Sequence, residues 1–304
     1  MRVLITGGTG LVGSRLVARL NERNDAPVVL SRNRASAQAK FGASAEVIEG
    51  DPATSGPWEQ SLDACDAVVN LAGENIFARR WNDREKATIR DSRVLGTQNI
   101  VAAICRAERR PAVLVNASAV GFYGPHGDEE ITEDAPPGDD FLATACVEWE
   151  AAARGVQAAG VRLAVLRIGV VLSADGGALA KMLTPFKLGI GGPAGSGQQW
   201  MSWIHIDDLV DIILHTLDHA TVSGVINATA PAPVTNKVFS KSLGRALGRP
   251  AFFPVPAFAL RLRFGQVAEV VLTGQRVLPR RAMDLGYAFQ FRDIDAALAD
   301  LLTR

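Results

Sequence analysis

Arg2-Val3-Leu4-Ile5-Thr6-Gly7-Gly8-Thr9-Gly10-Leu11-Val12-Gly13 decides the fold, because an apolar strand runs into four glycines and then into the helical spacing of Leu16, Val17 and Leu20. Glycine permits a tight turn at positive φ, a close approach of backbone to a pyrophosphate, and a helix lying near its strand. The free N–H groups and dipole at that helix start hold the anion. A strand before and a helix after are the context the pattern requires. The stretch reads as a dinucleotide-binding turn, with Gly7, Thr9, Gly10, Leu11, Val12 and Gly13 as cofactor contacts.

Outward from the turn, short β-rich apolar runs at 28–30, 46–48, 67–71, 113–115 and 163–168 alternate with helical patterns at 83–107 and 141–159. That alternation predicts an α/β fold, a Rossmann-like doubly wound parallel sheet with a smaller C-terminal lobe. Ligands of such sheets lie at the carboxyl ends of the strands. The regularity fades near Ser173, and 175–199 is rich in Gly and Pro. Beyond Pro231, helical segments at 236–247, 256–264 and 293–302 are separated by Pro-rich joints. The expected division is a dinucleotide-binding domain over 1–230, with 175–199 roofing the cleft, and a substrate lobe over 231–304.

The second strand ends in Ser31-Arg32-Asn33-Arg34, where an acidic residue would bind the ribose hydroxyls of NAD. A guanidinium at that point suits a 2′-phosphate, so the expected cofactor is NADP(H), with Ser31 and Arg32 contacting it. Asp51, after Gly50, offers a carboxylate to the adenine amino group. Leu71, Ala72 and Gly73 form a small-residue passage beside the cofactor ribose.

The 32 basic and 32 acidic residues of the 304 cancel, so neither nucleic acid nor an anionic membrane is an expected partner. Cys65, Cys105 and Cys146 lack metal-ligand spacing, so no metal is expected, and they fit free thiols of a reducing, cytoplasmic setting. A strand beginning at Arg2 leaves no room for a signal peptide, and no apolar run approaches the ~18 residues of a membrane span. The expected partner is an unidentified small-molecule substrate, and the expected assembly is a monomer or homodimer.

The chain resembles the extended branch of the short-chain dehydrogenase/reductase superfamily, which contains nucleotide-sugar epimerases and dehydratases. The resemblance lies in Thr6 to Gly13, Gly50-Asp51, Leu71-Ala72-Gly73, Val94-Leu95-Gly96-Thr97, Phe122-Tyr123-Gly124 and Trp203-Ile204-His205-Ile206-Asp207-Asp208. It is similar in particular to an atypical subgroup termed epimerase family proteins, with a C-terminal domain of unknown function. That similarity rests on Ser118 to Gly124, Cys146-Val147-Glu148-Trp149-Glu150, Arg167 to Leu172, Gly197 to Trp200, Asn227 to Pro231 and Gly274 to Val277.

The superfamily implies a Tyr and a Lys four residues apart on the helix after the fifth strand. Tyrosinate exchanges the proton while the ammonium lowers its pKa and holds the ribose. With Glu150 as the register mark, Leu142 and Cys146 occupy those places, and Arg93 stands beside the cofactor where asparagine is usual. Leucine transfers no proton. Ser118, Tyr123 and Cys146 remain as candidate catalytic groups, with Ser118 and Arg93 also expected as cofactor contacts, while Tyr123 and Cys146 also read as ordinary packing residues. His205 reads as a structural joint before an N-cap at Asp207. Glu74, Arg79, Arg80 and Trp81 read as pocket lining or, more simply, as a charged solvated loop; Lys187, Gln199 and Trp200 fall in the segment that would roof the cleft, and Trp203, like Trp200, suits packing as well as stacking. Two function classes follow: an NADP-dependent oxidoreductase on a small carbonyl or alcohol, with sugar-nucleotide epimerisation as a weaker variant, and a non-catalytic NADPH sensor.

Overall fold

The computed structural model describes residues 1–303. Its sheet is built from β1 (Arg2–Thr6), β2 (Ala26–Ser31), β3 (Glu46–Glu49), β4 (Ala67–Asn70), β5 (Val113–Ala119), β6 (Arg162–Ile168) and β7 (Gly224–Ala228), all parallel, in the order β7-β6-β5-β4-β1-β2-β3. The chain winds outward from β1 to β3, then crosses over to β4 and winds the other way. A cleft therefore opens between the carboxyl ends of β1 and β4. Apolar runs such as Val3-Leu4-Ile5 in β1 and Val68-Val69 in β4 lie fully buried because helices cover both faces of the sheet.

Side chains cap most helices of this half. Asn33 accepts from Ser36 N to start α2 (Arg34–Phe41), Asn82 from Glu85 N to start α3 (Asp83–Arg106), and Asp140 from Ala143 N to start α4 (Phe141–Arg154). Only glycine caps α1 (Leu11–Glu22), which leaves its first N–H groups without a side-chain acceptor. Leu16, Val17 and Leu20 of α1 join Leu209, Val210 and Ile213 of a later helix on one face of the sheet, and Ile100 and Ile104 of α3 pack with Leu4, Val68 and Leu114 on the other.

Three expectations need correction. The Gly/Pro-rich 175–199 stretch contains a helix, α5 (Gly177–Lys187), with Pro185 inside it. Burying Leu179 and Phe186 among Trp203, Phe239 and Leu298 outweighs the composition. The helix expected over 141–159 ends at Arg154 and tightens into a 3-10 turn, Gly155–Ala159, before Gly160 turns left-handed. Asp207 is not a cap: His205 caps α6 (Ile206–Asp218) by accepting from Asp207 N, and Asp207 pairs with Arg15 at 2.6 Å.

The remaining chain, α7 (Asn236–Leu247), α8 (Ala257–Phe264), α9 (Glu269–Leu272), α10 (Arg280–Asp284) and α11 (Ile294–Thr303), wraps back onto the sheet. Ala282 and Phe289 enter the same core as β1 and β5, while α7 and α11 pack with α5. Two-residue strands stitch this segment to the cleft: Arg276–Val277 runs parallel to Glu130–Ile131, beyond β5, and Ser202 Oγ links Gln275 O to Val277 N. Of the lobe expected over 231–304, Arg304 lies outside the described residues.

Candidate functional site

At two positions the turn admits only glycine. Gly7 has φ +68°, and a Cβ there would lie 2.7 Å from Leu71 C at the exit of β4; a Cβ on Gly13 would lie 2.4 Å from Gly7 O. Turn, strand exit and helix start are thus in mutual contact. Leu11 packs beside Gly176 and Gly177 at the start of α5, and Val12 packs against the core, so both side chains point away from the turn. Thr9 is exposed, and its carbonyl accepts from Lys40 Nζ at 2.8 Å. Lys40 was not singled out by the sequence, since only tertiary packing brings α2 across the turn.

At the end of β2, Arg32 and Arg34 are exposed, and among the described residues neither meets a carboxylate at ion-pair distance. With Asn33, Ala35, Gln38 and Glu49 they line a cavity of about 490 Å³. Ser31 Oγ turns back to Asn33 O at 3.2 Å. One oxygen of Asp51 accepts from Ala53 N at 2.9 Å, fixing the carboxylate at the tip of β3. The turn, Ser31, Arg32, Asp51 and Leu71 to Gly73 therefore follow the carboxyl edge of β1, β2, β3 and β4, as a dinucleotide would.

A buried polar ladder crosses that edge. Thr6 Oγ1 donates to Asn70 Oδ1 at 2.6 Å, and Asn70 Nδ2 donates to Asn116 Oδ1 at 2.7 Å and Thr97 Oγ1 at 2.9 Å, with Trp149 Nε1 also bonded to Thr97. Sequence reading passed over Asn116 and gave Asn70 and Thr97 no role in such a ladder. The available signal was asparagine ending or interrupting two otherwise apolar strands.

The three candidate catalytic groups are brought close together, and all are committed. Ser118 Oγ donates to Glu150 Oε1 at 2.8 Å; Arg167 clasps Glu150 with Nε at 2.8 Å and Nη2 at 3.0 Å. Arg167 Nη1 donates to Tyr123 Oη at 2.9 Å, and Tyr123 Oη donates to Asn227 Oδ1 at 2.7 Å. The Arg167 guanidinium lies 3.3 Å from the centroid of the Phe122 ring. Burial opposes its charge, yet the hydrogen bonds and charge of Glu150 raise its pKa above the ordinary value. Tyr123 is fully buried, and burial raises its pKa while Arg167 opposes the rise. Burial, then the charge of Glu150, pushes the Cys146 thiol up to about 11, far from a reactive thiolate.

Arg93 is held differently. Its Nη1 donates to Ile89 O at 2.9 Å, its Nη2 to Glu74 O at 3.0 Å, and its guanidinium lies 5.2 Å from the centroid of the Trp149 ring. Burial lowers its pKa, while the charges of Cys146 and Glu74 work the other way. Leu142 lies against Gly121, with its Cβ 3.5 Å from where a Cβ would stand.

Of the other residues expected near the pocket, Trp81 Nε1 bonds Ile76 O and its ring packs edge-on to Phe141; Arg79 pairs with Glu85, and Arg80 reaches Gly265. Trp203 is fully buried, with Nε1 on Ala232 O. Trp200 Nε1 donates to Asp128, and Gln199 Nε2 ties Ala194 O to Val271 O beside a cavity of about 440 Å³ that His126 and Glu129 also line. Lys187 is the last residue of α5 and is exposed. His205 stacks on Phe291 and meets Asp300 at 3.2 Å, tying α11 to the start of α6. Among the described residues, no helix is long and apolar enough to cross a membrane.

Residues 3–228 match the model of the NAD dependent epimerase/dehydratase family, across the strands and turns just described. The chain belongs to that family. Residues 255–301 match a domain of unknown function, DUF1731. Among its relatives in this family, the human epimerase family protein SDR39U1 is 42% identical over 99% of this chain and 100% of its own length, and the chloroplastic SDR39U1 homolog of Arabidopsis thaliana is 45% identical over 99% and 87%. The crystal structure of human SDR39U1 (isoform 2) with NADPH superposes with a TM-score of 0.88 at 40% identity, covering 100% of this chain and 99% of that one. A nucleoside-diphosphate sugar epimerase from Corynebacterium glutamicum gives 0.80 at 37% identity, covering 99% of this chain and 58% of that one.

Proposed function

We propose that this epimerase/dehydratase family member is an NADP(H)-dependent oxidoreductase acting on a small carbonyl or alcohol without the tyrosine–lysine pair. The observation that carries the reading is the pairing of an uncapped, glycine-lined helix start with an exposed, unpaired Arg32 where an acidic residue would favour NAD. The NADPH in the human SDR39U1 structure supports it. In this reading Gly7 to Gly13 hold the pyrophosphate, Ser31 and Arg32 the 2′-phosphate, Asp51 the adenine amino group, and Leu71 to Gly73 the ribose. When bound, NADPH supplies a hydride to a carbonyl carbon and leaves as NADP⁺ while the carbonyl oxygen takes a proton. Ser118 and Tyr123 serve to hold Glu150, Arg167 and Asn227 in place, and the proton comes from water. The free thiols Cys65, Cys105 and Cys146 support a reducing compartment such as the cytoplasm.

A second reading, a non-catalytic NADPH sensor, draws support from the commitment of Ser118 and Tyr123 to internal partners. Substrate-dependent NADPH oxidation separates the two. Sugar-nucleotide epimerisation ranks below both, since Leu142 stands where that chemistry uses tyrosine. Fluorescence titration tests the shared cofactor claim: NADPH binds at least about tenfold more tightly than NADH, about 1.4 kcal/mol, and Arg32→Ala removes most of the gap. Equal affinities in the unmodified protein overturn it.

A further inference from the structure

We propose that Arg93 recognises an anionic group on the substrate, and that the substrate is a carboxylate-bearing carbonyl or hydroxy compound. The inference rests on the oxidoreductase reading above and names its substrate class.

The geometry of Arg93 is that of a donor fork held ready. Two backbone carbonyls, Ile89 O and Glu74 O, take one N–H each from its terminal nitrogens, and the Trp149 ring supports the group. A guanidinium has five N–H donors in one plane, so donors remain for a ligand. Among the described residues no carboxylate lies within ion-pair distance of it; the carboxylate of Glu74 is near enough to favour the charge but not to contact it. The other titratable neighbour, Cys146, is a neutral thiol at pH 7. Gly73, past the end of β4, lets the guanidinium approach the strand exit, since a Cβ there would lie 3.0 Å from Arg93 Cζ. Half-buried and without a contacting carboxylate among the described residues, the guanidinium keeps donors open to a ligand anion.

The cofactor's own anions have other holders. Its pyrophosphate belongs to the start of α1 and its 2′-phosphate to Arg32, at the end of β2. The sheet order places β1 between β2 and β4, so Arg93, beside the exit of β4, lies on the opposite half of the switch point, where the reacting end of a dinucleotide and its substrate meet. A guanidinium does not give up its proton at neutral pH, so its task is orientation: two parallel N–H donors against the two oxygens of a carboxylate. The carboxylate itself is unchanged by the reaction.

The test uses the NADPH-saturated protein and three matched probe pairs, 2-oxobutanoate, 4-oxopentanoate and benzoate, each against its methyl ester, with binding read by saturation-transfer NMR. The expected result is binding of at least one carboxylate at least about tenfold more tightly than its ester. Arg93→Met abolishes that preference, Arg93→Lys retains part of it, and the NADPH dissociation constant stays the same in all three proteins. Arg93→Gln replaces the methionine variant if the latter does not melt cooperatively. Equal binding of acid and ester, including no detectable binding of either, overturns the proposal. So does a preference that survives Arg93→Met or Arg93→Gln, or a loss of NADPH affinity in its place, which would give Arg93 to a cofactor phosphate. Should the unmodified protein fail to bind NADPH, the cofactor reading falls, and the acid-to-ester comparison on the protein alone still decides Arg93.

Discussion

Arg167 and Arg93 both bring a guanidinium to the carboxyl edge of the sheet, the first buried and the second half-buried, and their charges are met in opposite ways. Arg167 has a counter-charge built in: Glu150 takes two of its N–H groups, and Tyr123, Ser118 and Asn227 complete a closed network. Arg93 has backbone carbonyls and an aromatic face but, among the described residues, no carboxylate contact. A satisfied network of this kind holds elements together; an incomplete one waits for something outside the chain. Ser118 and Tyr123, the polar side chains that looked most like catalysts in the sequence, belong to the closed network.

The strongest way to break this contrast is Glu150→Gln, which strands the Arg167 charge. It should cost about 3 to 5 kcal/mol in urea denaturation, whereas replacing Glu150 and Arg167 together by apolar residues of similar volume should cost far less. A loss below ~1 kcal/mol for the single variant would show that Arg167 is no better compensated than Arg93.

Cys146 lies between the two regions and senses both, since Glu150 raises its pKa and Arg93 lowers it, with burial the largest effect. A folded-state pKa raised from 9.0 to about 11 favours the neutral thiol in the native state. Its contribution is therefore complete below about pH 9 and lost as pH rises towards 11. From pH 8 to 11 the unmodified protein should lose about 2 to 3 kcal/mol more stability than Cys146→Ala, measured by denaturation at each pH. Tyr123 titrates in both proteins and drops out of the difference. Identical pH profiles would remove Cys146 from the buried region.

Tyr123→Phe leaves Asn227 Oδ1 and one Arg167 N–H without their partner, and should cost about 1 to 2 kcal/mol while NADPH affinity is unchanged. A large fall in turnover with unchanged stability would return Tyr123 to the catalytic role expected from the sequence. The smallest effect belongs to Arg93→Met, which breaks no ion pair and should leave stability within about 1 kcal/mol of the unmodified protein. A loss as large as that of Glu150→Gln would erase the distinction between the two arginines.

Much of the cofactor half was legible in advance because its requirements are local. Glycines at 7, 8, 10 and 13, an arginine at the end of the second strand and small residues after the fourth each answer a steric or electrostatic demand within a few residues of chain. For the chemical half the sequence offered chiefly an expected absence, with Leu142 and Cys146 where a proton-transferring pair would stand. Lys40 and Asn116 escaped notice because their partners lie 31 and 46 positions away. The α5 helix was hidden by its own glycines and proline, whose unfavourable propensity is outweighed by burial of Leu179 and Phe186.

By itself, then, the sequence determined the strand–turn–helix start, the alternating α/β order and the positive charge just past the end of β2, all set by residue identity, backbone sterics and periodicity over short spans. Tertiary structure alone decided which arginine has a counter-charge. Glu150 and Arg167 are 17 positions apart and meet because α4 packs over β6, while Arg93 faces the exit of β4 with no carboxylate of the described residues in contact. Whether a charge is compensated depends on distances of a few ångströms between separate elements, and no pattern of residues along the chain encodes those distances.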